Sequence, residues 1–134
     1  MRFAGLWIAI ALGWTVGAAQ ANEAKLQGYS KEYGQCMNLT YGRTEKAEKC
    51  VSNERKLHEK QLKKNFKAYK KANPKSIQEI QTQYKFWELQ VKNQCQAVSR
   101  SVQGRLQREQ CALNMVISQS NLYAARLMNA KAGS

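Results

Sequence analysis

The apolar periodicity between Ile77 and Val98 constrains the fold more than any other feature of this sequence. The apolar residues of this stretch recur at intervals of three and four and share one quadrant of a helix: Ile77, Ile80, Tyr84, Trp87, Val91, Cys95 and Val98. Gln81, Lys85 and Glu88 lie outside that quadrant. The pattern predicts a helix, which we place at residues 75–99, with one packed side and one solvated side. Trp87 lies in the packed stripe, so we interpret it as a core residue rather than a ligand platform.

Two further long helices flank this one in the sequence. The first is predicted at residues 44–72, with Thr44 as its N-cap and Pro74 marking its end. The other follows a break at residues 99–104 and is predicted at 105–128. Its apolar residues cover more than half of its circumference, so we expect it to be the most enclosed helix. A short helix is compatible with residues 31–39. The chain is therefore predicted to be all-α, a small three- to four-helix bundle with antiparallel neighbours and two disulfides.

The first 21 residues resemble a secretory signal peptide. Arg2 is followed by an apolar run from residue 3 to 17 and by Ala19-Gln20-Ala21, an Ala-x-Ala cleavage signal. An uncleaved membrane anchor is the alternative, because the run could just span a bilayer. We expect residues 22–134 to form a single exported domain, periplasmic or secreted, that is not an integral membrane protein after cleavage.

Four cysteines in an exported domain of this size predict two disulfides. Four cysteines allow three connectivities. Cys50 and Leu57 lie on a flank of the first helix that no other helix is required to cover, and the segment 22–43 is the available cover. We therefore favour Cys36–Cys50 with Cys95–Cys111, although Cys50–Cys95 is also compatible with the spacing.

The cysteine and tryptophan spacing resembles that of the LprI-type lysozyme inhibitor family of exported bacterial proteins. The matching positions are few and widely separated: Cys36, Cys50, Leu62, Phe66, Ile80, Trp87, Cys95, Cys111 and Met115. The resemblance implies an all-helical, disulfide-linked fold and, for some members, lysozyme inhibition. This chain lacks some of the family's usual polar residues, since it has Tyr84 in place of a glutamine, Val91-Lys92 in place of an Arg-Asp pair, and Gln119 in place of an arginine.

The sequence contains no pattern typical of an active site or a metal centre. It has no aspartate, and its one histidine, His58, lies on the packing face of the first helix, where we interpret it as a core or edge residue. No Cys-x-x-Cys spacing is present. The glutamates at 45, 48, 54 and 59 could form carboxylate pairs, but Glu45 and Glu48 are more simply helix-start charges. We predict no catalytic residues, no metal ligands and no cofactor.

The first helix carries lysines along the face opposite its apolar stripe. We call five of them the lysine ridge: Lys56, Lys60, Lys63, Lys67 and Lys70. The chain after residue 21 has 21 basic and 9 acidic residues, a formal charge of +12, which attracts polyanions. The ridge is thus either a site for an anionic polymer or a solvated face that keeps the protein in solution.

Two functions from different classes follow from these features. The first is an inhibitor-like protein whose partner is a cell-wall hydrolase, as the resemblance implies. Animal-type lysozymes are themselves basic, so an acidic or neutral bacterial hydrolase is the more natural partner. The alternative is a cationic envelope protein whose ridge binds lipopolysaccharide, an anionic glycan or nucleic acid.

Overall fold

The structure is a computed structural model that describes residues 24–96 and 99–133. The predicted signal peptide, and Val98 of the apolar stripe, lie outside these residues. Four α-helices and a short 3₁₀ turn make up the described chain, and the predicted all-α class is confirmed. The helices are α1 (Lys31–Asn38), α2 (Thr44–Ala72), α3 (Ile77–Gln94) and α4 (Val102–Ala132), with the 3₁₀ turn at Pro74–Ser76.

Helices α2 and α4 run parallel and pack together along most of their lengths. Their contacts advance in the same direction on both helices, from Glu48 with Arg105 to Asn65 with Ser120. The parallel arrangement is possible because α3, which lies between α2 and α4 in the sequence, runs antiparallel to both and returns the chain to the starting end. Two apolar clusters fill the α2–α4 interface, one around Val51 and Leu113 and one around Leu62, Val116 and Tyr123.

Helix α3 lies against this pair along a narrow stripe. Its only buried residue is Ile80, while Tyr84 and Trp87 are half-buried against the Leu62 cluster. The rings of Phe66 and Tyr84 stack with centroids 4.2 Å apart, and Tyr84 contacts Trp87 in turn. The predicted stripe is therefore the packed side of α3, but Ile77 at its start remains exposed.

Both predicted disulfides are confirmed. Cys36–Cys50 joins α1 to α2 with a Cα–Cα distance of 5.7 Å, and Cys95–Cys111 joins the end of α3 to α4 at 5.4 Å. Disulfides of this kind are typical of proteins that fold in an oxidising compartment. The chain reverses between α1 and α2 at Tyr41 and Gly42, both of which have positive φ angles.

The extended segment 24–30 lies in the groove between α2 and α4. The side-chain amide of Asn121 on α4 accepts a hydrogen bond from the Gln27 N–H at 2.9 Å and donates one to the Gln27 carbonyl oxygen at 2.8 Å. The Tyr29 hydroxyl donates to Asn114 at 2.6 Å. Leu57 is consequently left 51% exposed, and the expectation that the N-terminal segment buries it is wrong. Cys50 is buried where it is bonded to Cys36 of α1, whereas the segment before α1 follows the hydrogen-bonding groove instead of the Leu57 flank.

The third long helix begins earlier than predicted, at Val102, because Ser101 caps it. The Ser101 hydroxyl accepts a hydrogen bond from the Gly104 N–H at 3.1 Å, which satisfies one of the free N–H groups of the first turn. Helix α3 ends at Gln94 rather than near residue 99, because the backbone of Cys95 already departs from helical geometry. The predicted bounds of α2 match, although Thr44 is its first residue and not its cap. Helix α4 buries no more residues than α2, so the expectation that it is the most enclosed is wrong.

Candidate functional site: the lysine ridge and its surroundings

The lysine ridge occupies the solvent face of α2. Lys56, Lys60, Lys63 and Lys67 are all exposed. Lys70 differs, because its amino group lies 4.5 Å from the centroid of the Phe66 ring, a cation–π contact that leaves it half-buried. Lys56 and Lys70, the ends of the ridge, are 14 positions apart on the helix, about 21 Å at 1.5 Å per residue.

Most of the carboxylates near α2 form ion pairs with arginines. Arg55 pairs with Glu59 on α2 and with Glu109 on α4, the latter at 2.7 Å. Burial alone would lower the pKa of Arg55, but these two carboxylates raise it above its usual value. Arg105 pairs with Glu48 at 3.0 Å. Among residues 24–96 and 99–133, no ion pair involves a lysine of the ridge. Glu59, one turn before Lys63 on α2, pairs with Arg55 instead.

A buried polar cluster lies on the opposite face of α2 and anchors the N-terminal segment. The carboxylate of Glu54 accepts from the Ser30 N–H at 2.7 Å and from the Ser30 hydroxyl at 2.6 Å. It also contacts Nε2 of His58 at 2.9 Å. Burial raises the pKa of Glu54, but these hydrogen bonds outweigh burial and hold the pKa below its ordinary value.

This cluster has the residue types of a hydrolytic triad but not the order that such chemistry needs. In a triad the histidine bonds to the serine and takes its proton. Here Glu54 lies between Ser30 and His58, and the remaining ring nitrogen of His58, Nδ1, is buried without a partner. His58 is only 2% exposed, so substrate could not reach it. The arrangement stabilises the fold. Within the described residues, no group of three potential metal ligands comes together.

The outward face of α3 carries two exposed apolar side chains that the sequence analysis did not single out. Phe86 is 63% exposed and Leu89 is 57% exposed. Both lie more than a quarter of a turn away from every residue of the packed stripe, which is the signal that could have identified them. Thr82, Gln90 and Asn93 share this face, and the exposed Lys85 and Lys92 border Leu89 at i−4 and i+3. Two large apolar side chains exposed on one helix face can form part of a protein contact.

The structure thus separates two surfaces, a basic one on α2 and an apolar one on α3. No helix among the described residues is both long enough and apolar enough to cross a bilayer. Comparison with known proteins found no matching family model, no matching curated protein and no matching solved structure.

Proposed function

We propose that this protein is an exported, cationic binding protein of the bacterial envelope that holds an anionic polymer along the lysine ridge. The observation that carries the proposal is the absence of any carboxylate paired with the ridge lysines in the described part of the chain. Glu59, the glutamate of α2 that neighbours the ridge, is bonded to Arg55 instead. The disulfides support export, and the signal-peptide pattern at residues 1–21 supports the periplasm or the exterior as its destination.

The geometry of the ridge suits an extended ligand with repeated charges. Its lysines succeed one another at intervals of three or four residues, about 4.5 to 6 Å along the helix axis. Each bound phosphate releases condensed counterions, so affinity should fall with salt by about 0.7 units of log K per unit of log salt concentration for each contact with a single strand. A ridge that engages five charges would show a slope of about −3.5.

A second function is supported by the exposed face of α3. Phe86 and Leu89 could supply the apolar centre of a protein interface, in which large side chains contribute most of the binding energy. The partner implied by the resemblance to the LprI-type family is a cell-wall hydrolase. The protein's high positive charge favours an acidic or neutral hydrolase over a basic lysozyme.

Two matched variants separate these functions. K56Q/K60Q/K63Q removes three charges from the ridge, and K75Q/K85Q/K92Q removes the same charge from exposed positions of the 3₁₀ turn and α3. The probe is a labelled oligothymidylate, a single strand without stable structure, titrated at several salt concentrations. We expect the ridge variant to make the salt slope shallower by about 2 units and the control variant to change it little. Equal effects of the two variants would show that only net charge matters and would refute a ridge site.

The hydrolase function has its own test. F86Q/L89Q should abolish inhibition of a cell-wall hydrolase and leave the salt slope for the oligothymidylate unchanged. If inhibition survives this change but disappears in K56Q/K60Q/K63Q, the hydrolase binds the lysine ridge and not the face of α3.

A further inference from the structure

A basic cleft opens where the segment 24–30 meets the C-terminal halves of α2 and α4. Its volume is about 600 Å³, within the usual range of sites for small ligands. Five lysines line it: Lys25, Lys64, Lys67, Lys71 and Lys131. Of the residues that the structure describes, none that lines the cleft is acidic. The cleft shares only Lys67 with the lysine ridge.

Hydrogen bonds fix the walls of this cleft. The bonds between Asn121 and the backbone of Gln27 hold the N-terminal segment against α4. On α2, Gln61 donates to Asn65 at 2.9 Å, and Asn65 donates to Ser120 across the interface at 3.0 Å. Because each wall is bonded to its neighbour, a ligand would not have to order the cleft before binding, which lowers the cost of binding.

The charge of the cleft favours a headgroup with more than one negative charge. Lys64, Lys67 and Lys71 lie at i, i+3 and i+7 on α2, so their amino groups emerge on the same side of the helix. No ion pair in the described parts of the chain involves these three residues. Grouping cations in a concave site raises the local potential. A phosphate monoester carries a charge of about −1.5 to −2 with three acceptor oxygens and suits several amino groups better than a carboxylate.

The rest of the lining is mixed, with three apolar residues beside the amides of Gln27, Gln61 and Asn65. Ala24, Ala68 and Leu127 contribute apolar surface between the lysines, and the aliphatic parts of the lysine side chains extend it. We propose that this cleft binds a single-chain amphiphile with a phosphate headgroup, with the phosphate on Lys64, Lys67 and Lys71 and the chain against Ala68 and Leu127. This is a small-ligand site separate from the polymer site proposed above, and it does not depend on that function.

The test measures binding of dodecyl phosphate below its micelle concentration, by calorimetry, to the protein with both disulfides formed. We expect one site per chain. K64Q/K71Q should weaken binding at least about tenfold, since it removes two charge contacts. K56Q/K60Q, which removes the same charge from the ridge outside the cleft, should change it less than about threefold. A68E should also abolish binding, because it places a carboxylate on the apolar surface, and it should fold normally because residue 68 is an exposed helix position where glutamate is well tolerated.

Two comparison ligands, inorganic phosphate and laurate, test the two parts of the proposed ligand separately. Inorganic phosphate and laurate should each bind at least about tenfold more weakly than dodecyl phosphate, because each lacks part of the proposed ligand. Inorganic phosphate that binds as tightly would overturn the role of the chain, and laurate that binds as tightly would overturn the phosphate headgroup. Equal losses in K64Q/K71Q and K56Q/K60Q would overturn the cleft as the site. Polymer binding along the ridge can fail while dodecyl phosphate still binds, so the two proposals fail separately.

Discussion

Replacing Glu54 by glutamine should destabilise the protein much more than the same replacement at Glu59 on the same helix. The Glu54 carboxylate takes part in hydrogen bonds with the Ser30 N–H, the Ser30 hydroxyl and His58 Nε2. Hydrogen bonds to an ionised group contribute about 1.5–3 kcal/mol to stability, and bonds between neutral groups contribute about 1 kcal/mol. Replacing the carboxylate by a neutral amide should therefore reduce the contribution of each bond by about 1 kcal/mol. The amide is less costly to bury than the carboxylate, which offsets part of that loss. We expect a net loss of about 2 kcal/mol for E54Q, against about 0.5 kcal/mol for E59Q, whose partner Arg55 is partly solvated.

The same cluster predicts a pH dependence with a definite sign. The pKa of Glu54 is lower in the folded protein than in the unfolded chain, so the folded state favours the ionised form. Its contribution to stability is complete above the unfolded pKa of about 4.3 and is lost as the pH falls through the folded pKa. The stability difference between the wild-type protein and E54Q should therefore shrink as the pH falls below about 4.

Urea denaturation of the disulfide-bonded protein, followed by circular dichroism, measures these differences directly. Hydrogen exchange at the Ser30 N–H adds a local measurement, because E54Q weakens the bond that protects this group. A cost for E54Q no greater than that for E59Q would refute the reasoning. So would a difference between wild type and E54Q that widens as the pH falls.

Three further predictions concern packing, the backbone and the attachment of α3. L62A should cost about 2–5 kcal/mol because it empties a buried site, whereas L57A should change the free energy of unfolding by less than about 0.5 kcal/mol, both measured by urea denaturation. G104A should cost about 1–3 kcal/mol, since its Cβ would lie 2.4 Å from the Ser99 carbonyl oxygen, while G34A in the open part of α1 should stabilise by about 0.5 kcal/mol; thermal melts that rank them in the opposite order would contradict this packing. Replacing both cysteines of the α3–α4 disulfide by serine should cost about 3 kcal/mol and remove hydrogen-exchange protection from α3 before α2, an order that would be reversed if α3 were the better packed helix.

The sequence was sufficient to predict features that depend on local signals. Pro74 marks the end of α2, the apolar periodicity around Trp87 identifies the packed side of α3, and both disulfides join cysteines close in sequence. Each of these follows from residues within a few turns of one another. The early start of α4 also had a local signal, Ser101, which is a good N-cap residue followed three positions later by the glycine whose N–H it accepts.

Features set by contacts between distant segments could not be predicted in this way. The exposure of Leu57 depends on the path of the segment 24–30, which is decided by Asn121, more than ninety residues away in sequence. The parallel pairing of α2 and α4 has no signature in either helix alone. The basic cleft likewise combines lysines from three separated segments, so the pattern of lysines on α2 indicated the ridge but not the cleft. The contact between Glu54 and His58 has the i, i+4 spacing of one helix face, a spacing that two solvated residues share, so the sequence alone does not indicate it.

The connectivity of the two bridges bears on how the protein matures. Each joins consecutive cysteines, with separations of 14 and 16 residues, and neither crosses the other along the chain. An oxidant that acts on the cysteines in the order in which they occur along the chain would form both native bonds at its first attempt. Biogenesis of this protein should then require an oxidant and no disulfide isomerase.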